Sequence, residues 1–183
     1  IIPPGEAAGH FRQPHWNASN LLPQWVPDGT ILTSSKSALK DHRGVATDVA
    51  ASWTYHFSGD GFHKGPGDER LLAGMIRTQR TPSVNTPATV SLTGITYASY
   101  DLLVYVGQLY PNVRGVLRRG SDPATDRYFV SSTSPPFAGW KEATTTTLAA
   151  IVPGNFVRYR NLTGSTQSVT LTSLDNDAVA IHG

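Results

Sequence analysis

The chain has 183 residues, a formal net charge of +2 and no cysteine. The lack of cysteine excludes disulfides, iron–sulfur clusters and thiolate metal sites, and the small net charge argues against nucleic-acid binding. Charged residues make up 15% of the sequence, below the average of about 25%. The sequence is correspondingly rich in Thr, Ser, Gly and Pro, and this composition favours strands and turns over helices.

The first 30 residues are predicted to be irregular. They contain five prolines, and residues that precede proline avoid the helical conformation. We interpret residues 1–30 as a wrap around the domain or an exchangeable arm, and residues 31–183 as a single β-sandwich domain. No apolar run reaches the ~20 residues of a membrane span. The opening Ile1-Ile2-Pro3-Pro4-Gly5 does not form a signal peptide, so an exported protein is expected to have lost its leader.

Alternating apolar side chains predict the first strand. Residues 46–57 alternate through Val49, Trp53 and Phe57, and Trp53 is assigned to the core. A loop with four glycines follows over residues 58–68. Residues 71–77 are interpreted as a strand in preference to a short helix.

The second half of the chain contains the remaining predicted strands. They are short segments bounded by turns, over residues 89–93, 100–106, 114–118, 127–131, 144–150, 155–160, 168–174 and 178–182. Within the segment 100–106, Val104 is expected to face one side of the sheet and Tyr105 the other. The segments 114–118 and 127–131 are expected to form a hairpin. Together the segments predict an all-β fold, an antiparallel β-sandwich of the jelly-roll type.

Five stretches of the sequence also follow a known order of motifs. They are residues 5–17 (GEAAG, then QPHWN), 39–53, 70–74 (RLLAG), 93–107 (TGITYASYDLLVYVG) and 154–164 (GNFV, then NLTG). In this order they resemble a family of bacterial secreted and cell-surface β-sandwich domains related in appearance to carbohydrate-binding modules. The resemblance implies a β-sandwich in an extracellular setting and carries over no catalytic residue. Family domains usually begin with a further apolar strand, and its absence here would leave an open sheet edge.

The sequence offers little for catalysis. It has no G-x-S-x-G nucleophile motif and few acids that could pair for glycoside hydrolysis, so no enzymatic activity is expected. Its six histidines are scattered, whereas a zinc site needs three or four converging ligands. Calcium prefers oxygen ligands in loops, and the candidate ligands of a structural calcium are loop acids: Asp60, Asp68, Glu69, Asp175 and Asp177. The alternative is that water alone solvates these acids; no other cofactor is expected.

Aromatic residues in loops indicate a binding surface for sugars. Sugar rings stack on aromatic faces, and a few placed polar groups bond to their hydroxyls. The candidate stacking residues are Trp140, Tyr110 and Trp25. The candidate hydrogen-bonding residues are Gln108, Asn112 and Arg114. For each aromatic residue, burial in the core is the alternative interpretation.

The sequence therefore predicts a non-catalytic, secreted or cell-surface domain whose partner is a polysaccharide or a cell-surface glycan. The alternative is a structural subunit of an extracellular fibre or surface layer. In that alternative, residues 1–12 leave their own domain and complete the sheet of a neighbour, so the chain self-associates into polymers. Neither hypothesis involves nucleic acid or a membrane span.

Overall fold

The computed structural model of the chain describes residues 5–17, 26–60, 65–81, 84–107, 112–132 and 137–182, with the backbone alone at Asp60 and Arg80. The strands of these residues are β1 Leu32–Lys36, β2 Ala50–Tyr55, β3 Phe57–Asp60, β4 Gly74–Arg77, β5 Gln79–Thr81, β6 Val84–Thr86, β7 Ala88–Thr93, β8 Tyr100–Gly107, β9 Arg114–Arg119, β10 Arg127–Ser131, β11 Pro153–Gly154, β12 Phe156–Leu162, β13 Gln167–Ser173 and β14 Ala180–His182. The helices are α1 Asp68–Ala73 and two 3-10 turns, Pro123–Thr125 and Leu148–Ala150. No helix in the described ranges has the length and apolar character needed to cross a membrane.

Most of these strands belong to two sheets. The large sheet has seven strands in the order β1-β2-β7-β13-β9-β10-β11, and the small sheet has five in the order β12-β8-β14-β4-β3. Neighbouring strands in both sheets are antiparallel, except that β10 and β11 are parallel. β5 and β6 form a separate two-stranded ribbon. The predicted all-β character is confirmed.

The two sheets share one apolar core. The large sheet contributes Leu117, Phe129 and Leu171, and the small sheet contributes Val106 and Val157, each with 0% of its surface exposed. Alternate residues of a strand point to the same face, so each sheet turns one apolar face toward the other. Burial of this apolar surface supplies the main favourable free energy of folding.

The small sheet is also covered on its outer face. Tyr105 and Phe156 lie there in a second apolar cluster that includes Ala8, whereas Val104 lies in the core shared by the two sheets. The prediction that Val104 and Tyr105 face opposite sides is therefore confirmed. Residues 5–17 run over this outer face without forming a strand, so this part of the N-terminal segment packs on its own domain.

The hairpin predicted from the turn at Gly120 is confirmed. β9 and β10 are antiparallel, and Val116 pairs with Tyr128. The turn contains the 3-10 segment Pro123–Thr125, which begins after Asp122 accepts a hydrogen bond from the Ala124 amide at 2.9 Å. Such capping by aspartate satisfies a backbone donor that the short helix leaves free.

The strand predicted over residues 71–77 is wrong in its first half, because residues 68–73 form α1 and only Gly74–Arg77 forms a strand. Asp68 and Glu69 lie in the first turn of α1, where carboxylates interact favourably with the exposed amide groups. Leu71 and Leu72 are buried side by side in this helix.

Two other predicted strands also differ from the structure. Residues 144–150 form no strand and include the 3-10 turn Leu148–Ala150, because four successive threonines offer no alternating apolar face. Residues 46–57 do not form one strand, because β2 and β3 belong to different sheets and the chain passes between them at His56. Trp53, predicted to be in the core, packs against it half-buried.

Candidate functional site

An open cleft lies where residues 13–17 meet the loop of residues 40–42 and the turn that precedes β8. Its volume is about 440 Å³. The lining includes aromatic and polar side chains, namely Gln13, His15, Trp16, Lys40, His42 and Tyr97. We call it the Tyr97 cleft, after the aromatic residue that is most open to solvent.

One wall of the Tyr97 cleft is a small hairpin closed around Asp41. The Asp41 carboxylate accepts hydrogen bonds from the amides of Arg43 and Val45, and it pairs with the Arg43 guanidinium at 2.9 Å. Gly44 donates its amide to the Asp41 carbonyl at 2.9 Å. The Val45 amide, together with Arg43, holds the pKa of Asp41 below its ordinary value. Asp41 is thus a charged group that is already bound to its own loop.

Asn17 joins the N-terminal segment to this hairpin. Its side-chain oxygen accepts a hydrogen bond from the Lys40 amide, and its side-chain nitrogen donates one to the Lys40 carbonyl, both at 2.9 Å. One side chain thereby pairs both backbone groups of Lys40, as a neighbouring strand would. Two walls of the cleft are therefore fixed relative to each other, while the Lys40 side chain is exposed.

His15 adopts an unusual backbone conformation at the base of the Tyr97 cleft. Its φ is 62°, in the left-handed region that non-glycine residues seldom occupy. Its ring lies over Gly44, where an added Cβ would come within 3.1 Å of His15 Nδ1. Gly44 itself has a φ of 81°. The close packing of the His15 ring on the Gly44 backbone therefore depends on the absence of a Cβ at position 44.

Trp16 connects the Tyr97 cleft to the aromatic cluster on the small sheet. Its ring meets Tyr105 edge-on, with centroids 6.0 Å apart. The Tyr105 hydroxyl accepts a hydrogen bond from the His10 amide at 3.0 Å, and burial raises the pKa of Tyr105. The indole N–H of Trp16 is buried and has no hydrogen-bond partner among the described residues.

The rim of the Tyr97 cleft carries free polar groups. Within the described parts of the chain, the side chains of Gln13, Lys40, His42 and Tyr97 form no hydrogen bond or ion pair. Tyr97 is 56% exposed. An exposed aromatic ring beside several free donors and acceptors is typical of a site for a small polar ligand.

Comparison with known proteins gives no match to a family model, a curated protein or a solved structure. The resemblance to secreted β-sandwich domains therefore stays a prediction. The Tyr97 cleft has to be interpreted from the chemistry of its own residues.

Trp140, predicted as a stacking residue, lies outside the Tyr97 cleft. Its ring packs against Tyr105 and Phe137, with centroids 4.6 and 4.7 Å apart, and edge-on to Phe156. Its indole N–H is buried and has no hydrogen-bond partner among the residues that the structure describes. Trp140 is half-buried in the cluster on the small sheet, which is the packed alternative that the sequence left open.

Two of the predicted hydrogen-bonding residues, Arg114 and Asn112, are also separate from the Tyr97 cleft. The Arg114 guanidinium binds the Asp175 carboxylate at 2.6 and 2.9 Å, and this contact lowers the pKa of Asp175. Asn112 has a φ of 68° and is exposed. The remaining candidates lie outside the described residues: Trp25, Gln108 and Tyr110.

Four of the five candidate calcium ligands are bound to other groups of the protein. Asp68 accepts a hydrogen bond from the Gly9 amide at 2.8 Å, and Glu69 accepts one from the Gly65 amide at 2.9 Å. Asp175 binds Arg114, and Asp177 accepts a hydrogen bond from the Ala178 amide. The Asp60 side chain lies outside the described residues. Across the described ranges, no group of three or more acidic or histidine side chains is placed to hold a metal.

Sequence reasoning missed the Tyr97 cleft because three separate segments form it. In the sequence, the turn at 94–97 marks only a strand boundary, and His42 is notable only as the neighbour of Asp41. One signal was present: residues 13–17, 40–42 and 97 fall within three of the five motif stretches. Their convergence depends on how those stretches fold against one another.

Proposed function

We propose that the chain is a non-catalytic extracellular domain that binds a carbohydrate in the Tyr97 cleft. The observation that carries this proposal is the exposed Tyr97 ring beside the free side chains of Gln13, Lys40 and His42. The cleft is open rather than enclosed by the core, so it suits a chain of sugars that continues beyond it. The proposed setting is the outside of the cell or the cell surface, as the motif resemblance implies.

The chemistry of the Tyr97 cleft matches that of a sugar ring. The C–H face of a sugar is apolar and packs on an aromatic ring, while its hydroxyls need donors and acceptors. Tyr97 supplies the ring, Lys40 supplies a donor, and Gln13 and His42 supply both kinds of group. The Asp41 carboxylate is already paired with Arg43, so the charged group of the cleft that can contact a ligand is the Lys40 ammonium. We therefore favour neutral or acidic sugars as ligands.

A binding role is supported over glycoside hydrolysis. Hydrolysis of a glycosidic bond requires two carboxyl groups about 5 to 9.5 Å apart on either side of it. The carboxylate that lines the Tyr97 cleft, Asp41, binds Arg43 and two backbone amides instead. Its lowered pKa also makes it a poor proton donor.

We further propose that the two sheets form a sandwich of the jelly-roll type. The chain crosses from one sheet to the other between β7 and β8, between β8 and β9, and again on both sides of β13. Repeated crossing of this kind is the property that a jelly roll shares with other double-sheet folds.

The test is binding to polysaccharides by the whole chain and by Tyr97 variants. Affinity electrophoresis in soluble xylan, pectin and β-glucan, pull-down on cellulose and chitin, and a glycan array cover the main neutral and acidic classes. For the ligand that binds, we expect Tyr97→Ala to weaken binding about tenfold, because the stacking platform is lost. Tyr97→Phe keeps the ring and should bind within about threefold of the parent protein.

The control variant is Leu148→Ala, since Leu148 is 45% exposed and lies outside the Tyr97 cleft. It should bind like the parent protein. Unchanged binding by Tyr97→Ala would remove the cleft from the proposal. No binding to any of the polysaccharides would remove the proposed ligand class.

The alternative of a fibre subunit that exchanges residues 1–12 is less well supported. Gly9 and His10 donate backbone hydrogen bonds to Asp68 and Tyr105 of their own domain, and exchange would break both contacts. Size-exclusion chromatography separates the two hypotheses, because a binding module should elute at one size over a range of concentrations. A series of polymers would favour the fibre subunit.

A further inference from the structure

Two arginines lie on the inner face of the large sheet, close to the turn that joins β9 and β10. Arg127 pairs with Leu117 in this hairpin, and Arg119 follows Leu117 by two residues along β9. Alternate residues of a strand share a face, so both arginines lie on the face that Leu117 turns toward the core. They are diagonal neighbours there, a spacing that long side chains bridge. We call them the arginine pair.

Both guanidinium groups of the arginine pair reach one aromatic ring of the opposite sheet. The guanidinium carbon of Arg119 lies 5.9 Å from the centroid of the Tyr159 ring, and that of Arg127 lies 5.7 Å from it. Tyr159 is 4% exposed, and its hydroxyl is held by the Leu117 carbonyl. The arginine pair itself is half-buried. Two like charges are therefore held close together at the edge of the core.

The acidic side chains of the same hairpin are bound to other groups. Both oxygens of the Asp126 carboxylate accept hydrogen bonds from Arg118. In the turn, Asp122 accepts one from the Ala124 amide. Among the described residues, neither member of the arginine pair forms an ion pair. In the described structure the pair thus has two positive charges and no carboxylate of its own.

The arginine pair also has unused hydrogen-bond donors. A guanidinium carries five N–H donors. Within the described residues, Arg119 makes one long contact of 3.5 Å to the Gln167 side-chain oxygen, and its buried Nε–H has no partner. Arg127 donates to the Asp126 carbonyl at 2.8 Å. The Tyr159 ring attracts the positive charges, but it does not accept the planar N–H forks as an oxyanion does.

We propose that the arginine pair binds a sulfate or phosphate group. Guanidinium forks form strong, charge-assisted hydrogen bonds with such oxygens. A sulfate or phosphate group carries about two negative charges near neutral pH and balances both arginines, whereas a carboxylate carries one charge and leaves one arginine unbalanced. The site lies within the described ranges 112–132 and 137–182. It is separate from the Tyr97 cleft and does not depend on the sugar ligand proposed there.

The test is a titration of the whole chain, observed by NMR at the side-chain Nε–H signals of its arginines. Sodium sulfate and sodium phosphate are compared with sodium acetate and sodium chloride at equal ionic strength. We expect the Arg119 and Arg127 signals to shift and saturate with sulfate or phosphate at a Kd of about 1 mM. Acetate should bind at least about tenfold more weakly. The signal of Arg160, whose guanidinium already binds Glu142, should change little.

Three variants localise the binding. Arg119→Gln and Arg127→Gln each remove one charge of the site, and each should weaken sulfate and phosphate binding at least about tenfold. Arg160→Gln is the matched control, because it removes the same charge from a side chain that is 51% exposed and outside the arginine pair; it should bind like the parent protein. If a variant fails to fold, the signals of the parent protein decide the test.

Glucose 6-sulfate and glucose 6-phosphate distinguish two sources of the group. Tighter binding of an ester than of its free ion would assign the site to a larger ligand, and equal or weaker binding would assign it to the free ion. The proposal is overturned if the Arg119 and Arg127 signals respond to sulfate and phosphate no more than to chloride. It is also overturned if acetate binds as tightly, or if both arginine variants bind like the parent protein.

Discussion

At the scale of single residues, the contact between His15 and Gly44 shapes the Tyr97 cleft. Gly44 occupies the left-handed region with a φ of 81°, and the His15 ring fills the space where a Cβ would be. Any substitution of Gly44 is therefore expected to destabilise the protein in two ways. One is the backbone cost of positive φ, about 1–2 kcal/mol for residues with a Cβ, and the other is displacement of the ring.

The first prediction separates these two costs. Gly44→Ala should lower the free energy of unfolding more than Gly120→Ala, because Gly120 has a φ of 60° and nothing within 4 Å of an added Cβ. Gly120→Ala is expected to cost about 1 kcal/mol, and Gly44→Ala more. Urea denaturation of both variants measures the difference. If both variants lose the same free energy of unfolding, the His15 ring moves aside without a measurable loss of stability.

A second single-residue feature is the buried carboxylate of Asp126. Asp126 is 5% exposed, and its carboxylate accepts two hydrogen bonds from Arg118, at 2.7 and 2.9 Å. The Arg118 contact lowers the pKa of Asp126. Because the folded pKa lies below the unfolded one, this contact stabilises the protein above the unfolded pKa of about 3.9 and is lost as pH falls through the folded pKa.

The second prediction follows from the lowered pKa of Asp126, which makes its contact with Arg118 stabilising at neutral pH and lost in acid. Asp126→Asn should destabilise the protein most near neutral pH, and the difference from the parent protein should shrink as pH falls below about 4. Urea denaturation between pH 7 and pH 3 measures it. The Arg118→Met variant should show the same trend, since it removes the other partner. A difference that stays constant over this range would contradict the assignment.

At the scale of elements, residues 5–17 act as a cover for the outer face of the small sheet. His10 stacks on Phe156 with centroids 4.5 Å apart, and the Arg158 guanidinium lies 4.8 Å from the Phe11 ring centroid. Tyr105 holds the segment through its hydroxyl. The small sheet is thereby buried on both faces, although one cover is a segment without regular secondary structure.

The third prediction concerns the attachment of this cover. Tyr105→Phe removes the acceptor of the His10 amide and should cost about 1 kcal/mol. Opening of the segment should then be about fivefold more frequent, and trypsin should cleave after Arg12 correspondingly faster. Tyr97→Phe is the matched control, because the Tyr97 hydroxyl has no hydrogen bond among the described residues. Equal cleavage of the two variants would argue against the hydroxyl as the attachment.

At the scale of the whole molecule, side chains from both sheets hold the fold together. Tyr159 of β12 in the small sheet donates its hydroxyl to the Leu117 carbonyl of β9 in the large sheet at 3.0 Å, and burial raises the pKa of Tyr159. Leu117 itself has no exposed surface. Removing volume at this position leaves a cavity that both sheets border.

The fourth prediction concerns the contribution of Leu117 to the stability of the core that the two sheets share. Leu117→Ala should lower the free energy of unfolding by about 2–5 kcal/mol. Leu148→Ala removes the same atoms from a residue that is 45% exposed and should change it by less than about 0.5 kcal/mol. Thermal or urea denaturation of both variants tests this. If the two variants lose similar free energies of unfolding, Leu117 does not belong to a core that both sheets share.

Several elements could be predicted because their signals are local. The alternation in residues 100–106 identifies β8 and its two faces, and the turn at Gly120 identifies the β9–β10 hairpin. β1 was missed because Leu32–Lys36 contains a single apolar residue, so its pairing with β2 defines it. α1 was missed because two adjacent leucines suit a short helix and a buried strand equally well.

The sequence by itself determined the all-β character, the strands with clear alternation and the lack of regular strands over residues 5–17. These follow from conformational preferences that each residue and its close neighbours express. The tertiary structure alone decided that Trp140 packs inside an aromatic cluster and that Tyr97 is exposed in a cleft. The reason is that burial and convergence depend on which distant segments come together, and such contacts leave no periodic signal in the chain.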